Sequence, residues 1–366
     1  MPDTSLDDSV GIALAGTVRP FTGVLASPPR RLLRVEHLVS ELTFAYGRAY
    51  YAIILRSVHQ DAPDLMMSSF RLSALLFALL LLAPTARGQQ VPSDSVRIIA
   101  IFAHPDDGEY KMGGTAARLA AAGHQIKFVS LTNGDAGHHK QGGGALARRR
   151  RAEAKEAADR LGIEAYEVLD YHDAELMPTL AVRRDVIRLI REWNADVVIG
   201  LRPYDYHPDH RNAGRVVQDA AYMVQVPNVV SRVAPTDGNP VFLYMEDRFS
   251  KPAPFEPDVA VPIDTVMDRK IDALDAHVSQ VYEWLPWVSD TLDEVPESEA
   301  ARRDWLGQRI RNRSSIDADV RAALRDWYGA ERAQQVDFAE AFEVTEYGHQ
   351  PSDEELRRIF PMLPPQ

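Results

Sequence analysis

The sequence predicts an α/β protein: a Rossmann-like, doubly wound and mainly parallel sheet with helices on both faces, followed by a C-terminal helical extension. Between residues 97 and 244, short apolar runs alternate with longer amphipathic segments, the pattern of strands and helices in such a sheet. Two of the apolar runs end directly in clusters of histidine and aspartate. A doubly wound fold gathers the ends of its strands at one edge, where it binds ligands.

The individual elements follow from the apolar pattern in chain order. Five apolar runs are predicted as strands: residues 97–103, 125–131, 165–169, 196–201 and 241–244. Four amphipathic segments between them are predicted as helices: residues 114–123, 147–161, 180–193 and 211–223. The first turn contains Gly113 and Gly114, which allow a helix to begin close to the sheet, but it lacks Gly-x-Gly-x-x-Gly. A nicotinamide or flavin dinucleotide cofactor is therefore not expected.

Residues 66–88 have the features of a secretory signal peptide. A basic residue, Arg71, precedes an apolar run that is too short for a comfortable membrane span, and small residues follow at a plausible cleavage site. Because a signal peptide acts from the N-terminus, we expect a natural start at Met66 or Met67, with residues 1–65 a non-native or unstructured extension. The alternative is an internal apolar helix within a true N-terminal domain. The first interpretation predicts an exported protein, periplasmic or extracellular, without a stable membrane span in the mature chain.

Composition narrows the classes of partner. The chain of 366 residues has 53 acidic and 41 basic residues, a formal net charge of −12, and the acidic excess lies after residue 88. This balance disfavours a nucleic-acid partner or an anionic membrane surface, for which a basic patch is expected. The absence of cysteine excludes disulfides, thiolate zinc ligands and a lipoprotein anchor, and it is compatible with export. About 280 residues beyond the signal segment suffice for one large α/β domain.

Two matched clusters follow the first and the fourth predicted strands. The first contains His104, Asp106 and Asp107, and the second contains His207, Asp209 and His210. Imidazole and carboxylate suit a divalent cation such as Zn²⁺, and a catalytic zinc typically takes three protein ligands and leaves one position for water. One His-Pro-Asp alone can be a turn whose aspartate caps a helix. The two together predict a site held by His104, one aspartate of the first cluster and one histidine of the second, with the remaining groups free for acid-base work.

Residues 96–280 resemble the LmbE-like or PIG-L-type zinc de-N-acetylases, which remove acetyl groups from N-acetylglucosamine-containing substrates. The specific part of the resemblance is the pair of motifs His104-Pro-Asp-Asp107 and His207-Pro-Asp-His210. Three individually weak segments accompany the pair: Leu131-Thr-Asn-Gly-Asp135, Arg150-Arg-Ala-Glu153 and Asp170-Tyr-His-Asp173-Ala-Glu-Leu176. The deacetylase-like domain is accordingly expected over residues 96–285, and the C-terminal helical extension over residues 286–366.

The resemblance implies a role for each matched residue. His104, Asp107 and His210 would hold zinc. Asp106 would be the general base that activates water. His207 would stabilise the oxyanion and protonate the leaving amine, with Asp209 orienting its ring. From the residues alone Asp106 and Asp107 are interchangeable, and Fe²⁺ or Mn²⁺ could occupy a His/Asp site as well as Zn²⁺.

Three further residues are candidates for binding substrate. Asp173 lies in the segment that resembles the family's substrate-side loop. Arg150 belongs to a basic run at a helix start and either holds an anionic sugar or phosphate, or faces solvent. His138 lies in a glycine-rich loop after the second strand, which is either a lid that contacts substrate or a solvated surface loop. In the amphipathic segment 272–284, His277, Gln280 and Trp284 stand at helical spacing, and structural packing is the preferred interpretation.

The sequence thus predicts a secreted zinc-dependent hydrolase that removes the N-acetyl group from an N-acetylglucosamine-type sugar or glycoconjugate. One alternative is a metal-dependent amidase acting on a non-sugar conjugate, because the metal centre recognises the amide and the loops select the rest. Another is a catalytically silent carbohydrate-binding protein. The presence of Asp106 and His207 argues against silence, because retention of a metal alone does not need them.

Overall fold

A computed structural model describes residues 95–365 of the chain. The described residues 95–365 cluster as one compact unit, so the domain predicted over 96–285 and the described part of the extension predicted over 286–366 belong to the same unit. The predicted signal peptide, residues 66–88, and the predicted extension, residues 1–65, lie outside the described residues. Within residues 95–365, no helix combines the length and the apolar character that a membrane crossing requires.

A seven-stranded sheet forms the centre of the fold, with the strand order β3-β2-β1-β4-β5-β7-β6. The strands are β1 Arg97–Phe102, β2 Gln125–Thr132, β3 Ala165–Tyr171, β4 Val197–Gly200, β5 Val241–Met245, β6 Val259–Pro262 and β7 Ala339–Gly348. Strands β1 to β5 pair in parallel, and β7 pairs antiparallel with both β5 and β6. The predicted doubly wound, mainly parallel α/β sheet is confirmed. Its strand order reverses at β1, which has β2 on one side and β4 on the other.

The first four helices connect the parallel strands, and the others follow β6 or β7. The helices are α1 Asp107–Ala121, α2 Gly143–Leu161, α3 Leu180–Trp193, α4 Pro208–Met223, α5 Met267–Asp275, α6 Leu285–Val288, α7 Glu299–Arg313, α8 Ala318–Tyr328, α9 Ala330–Gln334 and α10 Asp353–Ile359. A π-helical turn, Ser279–Trp284, joins α5 to α6. Helices α1 and α2 pack with α5, and α3 packs on α4, which gives the two helical layers of a doubly wound sheet. Helices α1 and α4 begin earlier than expected, at Asp107 and Pro208, so both motifs extend into first helical turns.

The C-terminal extension contains the expected helices, and it also supplies an interior strand, next to the edge of the sheet, that the sequence pattern did not predict. Strand β7 lies between β5 and β6 although it carries Glu340, which is 3% exposed. Its carboxylate accepts hydrogen bonds from the backbone N–H groups of Gly114 (3.0 Å) and Thr115 (2.6 Å) in α1. Nζ of Lys270 in α5 lies 2.7 Å from the same carboxylate. The buried charge is therefore paired, and it fastens the extension to the helices over the sheet.

Candidate active site

The predicted clusters meet at the carboxyl ends of β1 and β4. These two strands are parallel neighbours, with Ile98 opposite Val197 and Ile101 opposite Gly200, so both strands end at the same edge of the sheet. Nδ1 of His104 and Nε2 of His210 consequently lie only 3.1 Å apart, although 106 positions separate them in the sequence. This parallel register explains why the two motifs meet, as expected for the strand ends of a parallel sheet.

Each motif is shaped by the helix that it begins. Asp107 opens α1, and its Oδ2 atom accepts hydrogen bonds from the backbone N–H groups of Ala103 (3.2 Å) and His104 (2.8 Å). In the second motif His207 is the N-cap of α4, with Pro208 at the first helical position, where a missing N–H costs nothing. His210 therefore lies within the first turn of α4, and its ring faces the first motif.

Three side chains, the donor cluster, offer ligand atoms at the spacing of a metal site. Nε2 of His210 lies 3.3 Å from Oδ1 of Asp107, and Nδ1 of His104 lies 3.7 Å from Oδ2 of Asp107. A tetrahedral Zn²⁺ with its usual bond lengths places its ligand atoms roughly 3.3–3.6 Å from one another. The donor cluster of His104, Asp107 and His210 therefore fits a divalent cation, and its two imidazoles and one carboxylate also suit Fe²⁺.

Carboxylates behind the rings fix which nitrogen faces the shared position. Nε2 of His104 lies 3.0 Å from Oδ1 of Asp173 and 3.3 Å from Oδ2 of Asp209. Nδ1 of His210 lies 3.0 Å from Oδ1 of Asp205, a residue for which the sequence pattern predicted no role. Each imidazole can donate its proton to a carboxylate and keep the opposite nitrogen as a ligand, the arrangement that orients metal-binding histidines.

The electrostatics of the donor cluster favour positive charge. Burial lowers the pKa of His104, but hydrogen bonds to Asp173 and Asp209 outweigh it and raise that pKa to about 9. Burial also lowers the pKa of His210, but the Asp107 carboxylate outweighs burial and raises that pKa to about 10. The pKa of the Asp107 carboxyl is held well below its usual range because the neighbouring histidine charge outweighs burial. A bound cation would supply the positive charge that these carboxylates call for.

Asp106 lies beside the donor cluster in an uncommon backbone conformation. Its φ is 135°, which is costly for a residue with a Cβ and recurs at functional sites. The backbone N–H of Asp106 donates to the Tyr166 hydroxyl at 3.2 Å, and its carbonyl accepts from Tyr110 N–H at 3.1 Å. Burial raises the pKa of the Asp106 carboxyl to about 6, although the neighbouring Arg150 opposes the rise.

Arg150 is 2% exposed, so of the two alternatives given for it the solvent-facing one is wrong. Its Nη2 atom lies 3.2 Å from Oδ1 of Asp106 and also donates to the carbonyl of Pro105. Gly134, at φ 67°, makes room for this side chain, because a Cβ there would lie 2.5 Å from Nη1 of Arg150. The guanidinium also borders the cleft described below. Contact of Arg150 with substrate stays a prediction, and in this structure its ionic partner is Asp106.

His207 borders the donor cluster, with a ring nitrogen within 4.8 Å of those of His104 and His210. Burial, followed by the charges of the other two histidines, holds its pKa below the ordinary value. Its Nδ1 atom accepts a hydrogen bond from the backbone N–H of Asp209 at 3.2 Å. The neutral ring therefore carries its proton on Nε2.

The role predicted for the Asp209 side chain requires correction. Its carboxylate does not orient the His207 ring, because the backbone N–H of Asp209 does so. The side chain is fully buried and accepts hydrogen bonds from the backbone N–H groups of Ala174 (2.7 Å) and Leu176 (3.2 Å). Its Oδ2 atom also lies 3.3 Å from Nε2 of His104. Asp209 therefore holds the loop after β3 against the back of the donor cluster.

A cleft of about 280 Å³ opens beside these groups, and Asp173 lines it as predicted for a substrate-side residue. His138 does not line the cleft. Its Nε2 atom lies 2.8 Å from Oε2 of Glu283, and its Nδ1 atom accepts from the backbone N–H groups of Lys140 and Gln141. This geometry gives no support to a direct substrate contact by His138, whose ring instead folds its glycine-rich loop.

Two cleft residues come from the segment in which the sequence favoured packing. Gln280 and Trp284 line the cleft, whereas His277 is fully buried with Nε2 3.1 Å from Oε1 of Glu109. The helix predicted over 272–284 stops at Asp275 and resumes as the π-helical turn. That turn changes which side chains face the cleft, a change that helical spacing alone does not reveal.

Comparison with known proteins agrees with this geometry. The family model described as PIG-L, GlcNAc-PI de-N-acetylase, matches residues 99–221, a range that contains both motifs. A diacetylchitobiose deacetylase of Thermococcus kodakarensis is 31% identical over 207 residues, which cover 53% of this chain and 74% of the relative. The chain belongs to the PIG-L family. The resemblance inferred from the two motifs is thereby confirmed.

Two further relatives extend this comparison. A probable N-acetyl-alpha-D-glucosaminyl L-malate deacetylase 2 of Bacillus cereus is 32% identical over 219 residues, covering 57% of this chain and 93% of the relative. The solved structure of N,N'-diacetylchitobiose deacetylase from Pyrococcus horikoshii is similar with a TM-score of 0.53 and 25% identity, over 70% of this chain and 86% of that chain. These PIG-L relatives are named as deacetylases of N-acetylglucosamine-type compounds.

Proposed function

We propose that this PIG-L protein is a metal-dependent hydrolase that removes the acetyl group from an N-acetylglucosamine-type sugar or glycoconjugate. The observation that carries the proposal is the position of Asp106, a buried carboxylate beside the donor cluster at the wall of an open cleft. Amide hydrolysis needs a base for the attacking water, a stabiliser for the oxyanion and an acid for the leaving amine. The names of the PIG-L relatives support the choice of substrate.

His104, Asp107 and His210 would hold the cation, for which we propose Zn²⁺. When bound, such an ion supplies Lewis acidity toward the acyl oxygen and lowers the pKa of water. The imidazole and carboxylate donors, together with their supporting carboxylates Asp173 and Asp205, support this assignment.

The roles of the remaining residues follow from their hydrogen bonds. Asp106 takes the proton of the attacking water, and Arg150 and the Tyr166 hydroxyl keep it in place. A pKa of about 6 leaves its carboxylate ionised near neutral pH and more basic than an ordinary aspartate. Nε2–H of the neutral His207 ring donates a hydrogen bond to the oxyanion, and the leaving amine receives the proton that Asp106 took from the water.

The proposal is tested by acetate release from a panel of N-acetylated sugars, including N-acetylglucosamine, diacetylchitobiose and the malate glycoside. Asp106→Asn is expected to retain the metal and to lose a factor of about 10²–10⁴ in kcat, the usual scale for a positioned base. Asp159→Asn, an exposed position in α2, is the matched control and should leave kcat unchanged. No acetate release by the metal-loaded wild-type protein from any of these sugars would refute the proposal.

We also propose that residues 66–88 direct export and are removed. The basic start, the apolar run and the small residues that follow support this proposal. A chain expressed from Met67 should be recovered outside the cytoplasm with its N-terminus near residue 89. Retention in the cytoplasm with the apolar segment still attached would contradict the proposal.

A further inference from the structure

We propose that Trp284, Trp287 and His139 form a platform for the sugar ring next to the one in the cleft, so that the substrate is an oligosaccharide. The inference rests on the proposed function and extends it from the reacting sugar to the chain that carries it. It also gives a role to the His138-His139 loop, which the catalytic residues do not explain.

The rings form a continuous stack that begins at the cleft wall. Trp284 lines the cleft, and its ring centroid lies 5.2 Å from that of Trp287, with 19° between the planes. Trp287 in turn lies 5.2 Å from His139 at 4°, and His139 lies 4.7 Å from His138 at 18°. Because stacked rings touch at roughly 3.5–4 Å, a separation of 5.2 Å means that each ring is offset from the next. We call this stack of Trp284, Trp287, His139 and His138 the aromatic ladder. Its rings are stepped, and parts of their faces stay uncovered.

The aromatic ladder is held rigidly by ion pairs that lie behind it. Arg149 of α2 makes two hydrogen bonds to Glu283, at 2.6 and 2.8 Å, and His138 makes a third at 2.8 Å. Glu283 lies directly before Trp284 in the π-helical turn. Ser279, at the start of that turn, donates its backbone N–H to Glu153 at 2.9 Å. A platform fixed before binding loses little conformational entropy when a ligand arrives.

Exposed aromatic side chains line the cleft or stack on a residue that lines it. Trp287 is 49% exposed and its neighbour Val288 is 57% exposed, whereas a tryptophan used only for packing is normally covered. Tyr206, which is 74% exposed, lines the same cleft beside His207 and His210. Tyr206 and the aromatic ladder therefore both offer aromatic surface to a ligand that extends out of the cleft.

The chemistry of this surface favours a neutral sugar ring. The C–H face of a pyranose is apolar, and its hydroxyls project around the rim, so the face packs on an aromatic ring while the hydroxyls stay in water. Arg149 and Glu283 next to the ladder are paired with each other, so they offer little to a charged group. The cleft, at about 280 Å³, is near the lower limit for a small-molecule site and suits one amino sugar. The next sugar of a chain then lies at the aromatic ladder.

The experiment compares kcat/KM for N-acetylglucosamine, diacetylchitobiose and triacetylchitotriose in the wild-type protein and in Trp287→Ala. The preference for oligosaccharide over monosaccharide is expected to fall about five- to tenfold, chiefly through KM, the scale of one aromatic contact. Trp287→Tyr should restore most of the preference. Tyr222→Ala, at a more exposed aromatic (76%) on α4, is the control and should leave it unchanged. An unchanged preference in Trp287→Ala, with acetate still released, would overturn the platform while the proposed function stands.

Binding measured by calorimetry separates the two proposals. Triacetylchitotriose should bind the inactive Asp106→Asn protein more tightly than N-acetylglucosamine does, and Trp287→Ala in that background should remove most of the difference. If the wild-type protein releases no acetate but this binding difference is present and depends on Trp287, the proposed reaction fails and the platform stands. Equal affinity for the two sugars in Asp106→Asn would overturn the platform.

Discussion

The correction at Asp209 leads to a prediction that separates two roles for the same residue. If Asp209 oriented the His207 ring, its replacement would affect turnover alone. In the structure, however, the Asp209 carboxylate contacts the loop after β3 and His104. Asp209→Asn keeps the volume but replaces one acceptor oxygen by an N–H₂ group. The least costly orientation then faces the backbone N–H of Leu176 with a donor.

The magnitude follows from the lost hydrogen bonds. One buried N–H without an acceptor costs about 1–3 kcal/mol, so Asp209→Asn should lower the free energy of unfolding by that amount. Asp209→Ala leaves two such groups and should cost about 3–5 kcal/mol. Loss of the carboxylate behind His104 should also weaken metal binding about 10–100-fold. Urea unfolding and metal competition against a chelator measure the two effects. A large loss of kcat with stability and metal affinity both unchanged would contradict this reasoning and would show that the carboxylate orients His207.

Three further predictions concern other parts of the molecule. Glu340→Ala should lower the free energy of unfolding by about 3–5 kcal/mol in urea, because two buried N–H groups and the Lys270 charge lose their partner. Gly134→Ala should lower kcat at least about tenfold while metal content by elemental analysis is retained, because its Cβ displaces Arg150 from Asp106. Burial raises the pKa of Glu246 to about 7, so the charged form destabilises the folded state above pH 7 and no longer does so below about pH 4.5. Glu246→Gln should therefore raise the free energy of unfolding by about 1–3 kcal/mol at pH 8, by urea titration, and leave it unchanged at pH 4.

The parallel half of the fold was predictable because its strands are covered on both faces. Such strands read as continuous apolar runs, as in Ile98 to Phe102, and polar helices separate them clearly. Strand β7 was missed because Glu340 interrupts its apolar pattern. That charge is tolerated only through Lys270 and two backbone N–H groups in the middle of α1, which are distant in the sequence.

The site divides in the same way. The ends of β1 and β4 had to meet, so the pairing of the two motifs followed from the parallel sheet. The partner of the Asp209 carboxylate could not be predicted in this way, because the loop containing Ala174 is placed by tertiary packing. The cleft position of Trp284 depends on a π-helical turn, which a helical pattern of period 3.6 does not contain.

The most direct test of the proposed metal hydrolase is acetate release measured while metal-free protein is titrated with Zn²⁺. Activity should rise in proportion to bound zinc and saturate at one ion per chain, whereas His210→Ala should bind no zinc at the same concentrations and release no acetate. Full activity in the metal-free protein, or full zinc occupancy and activity in His210→Ala, would contradict the assignment of the donor cluster.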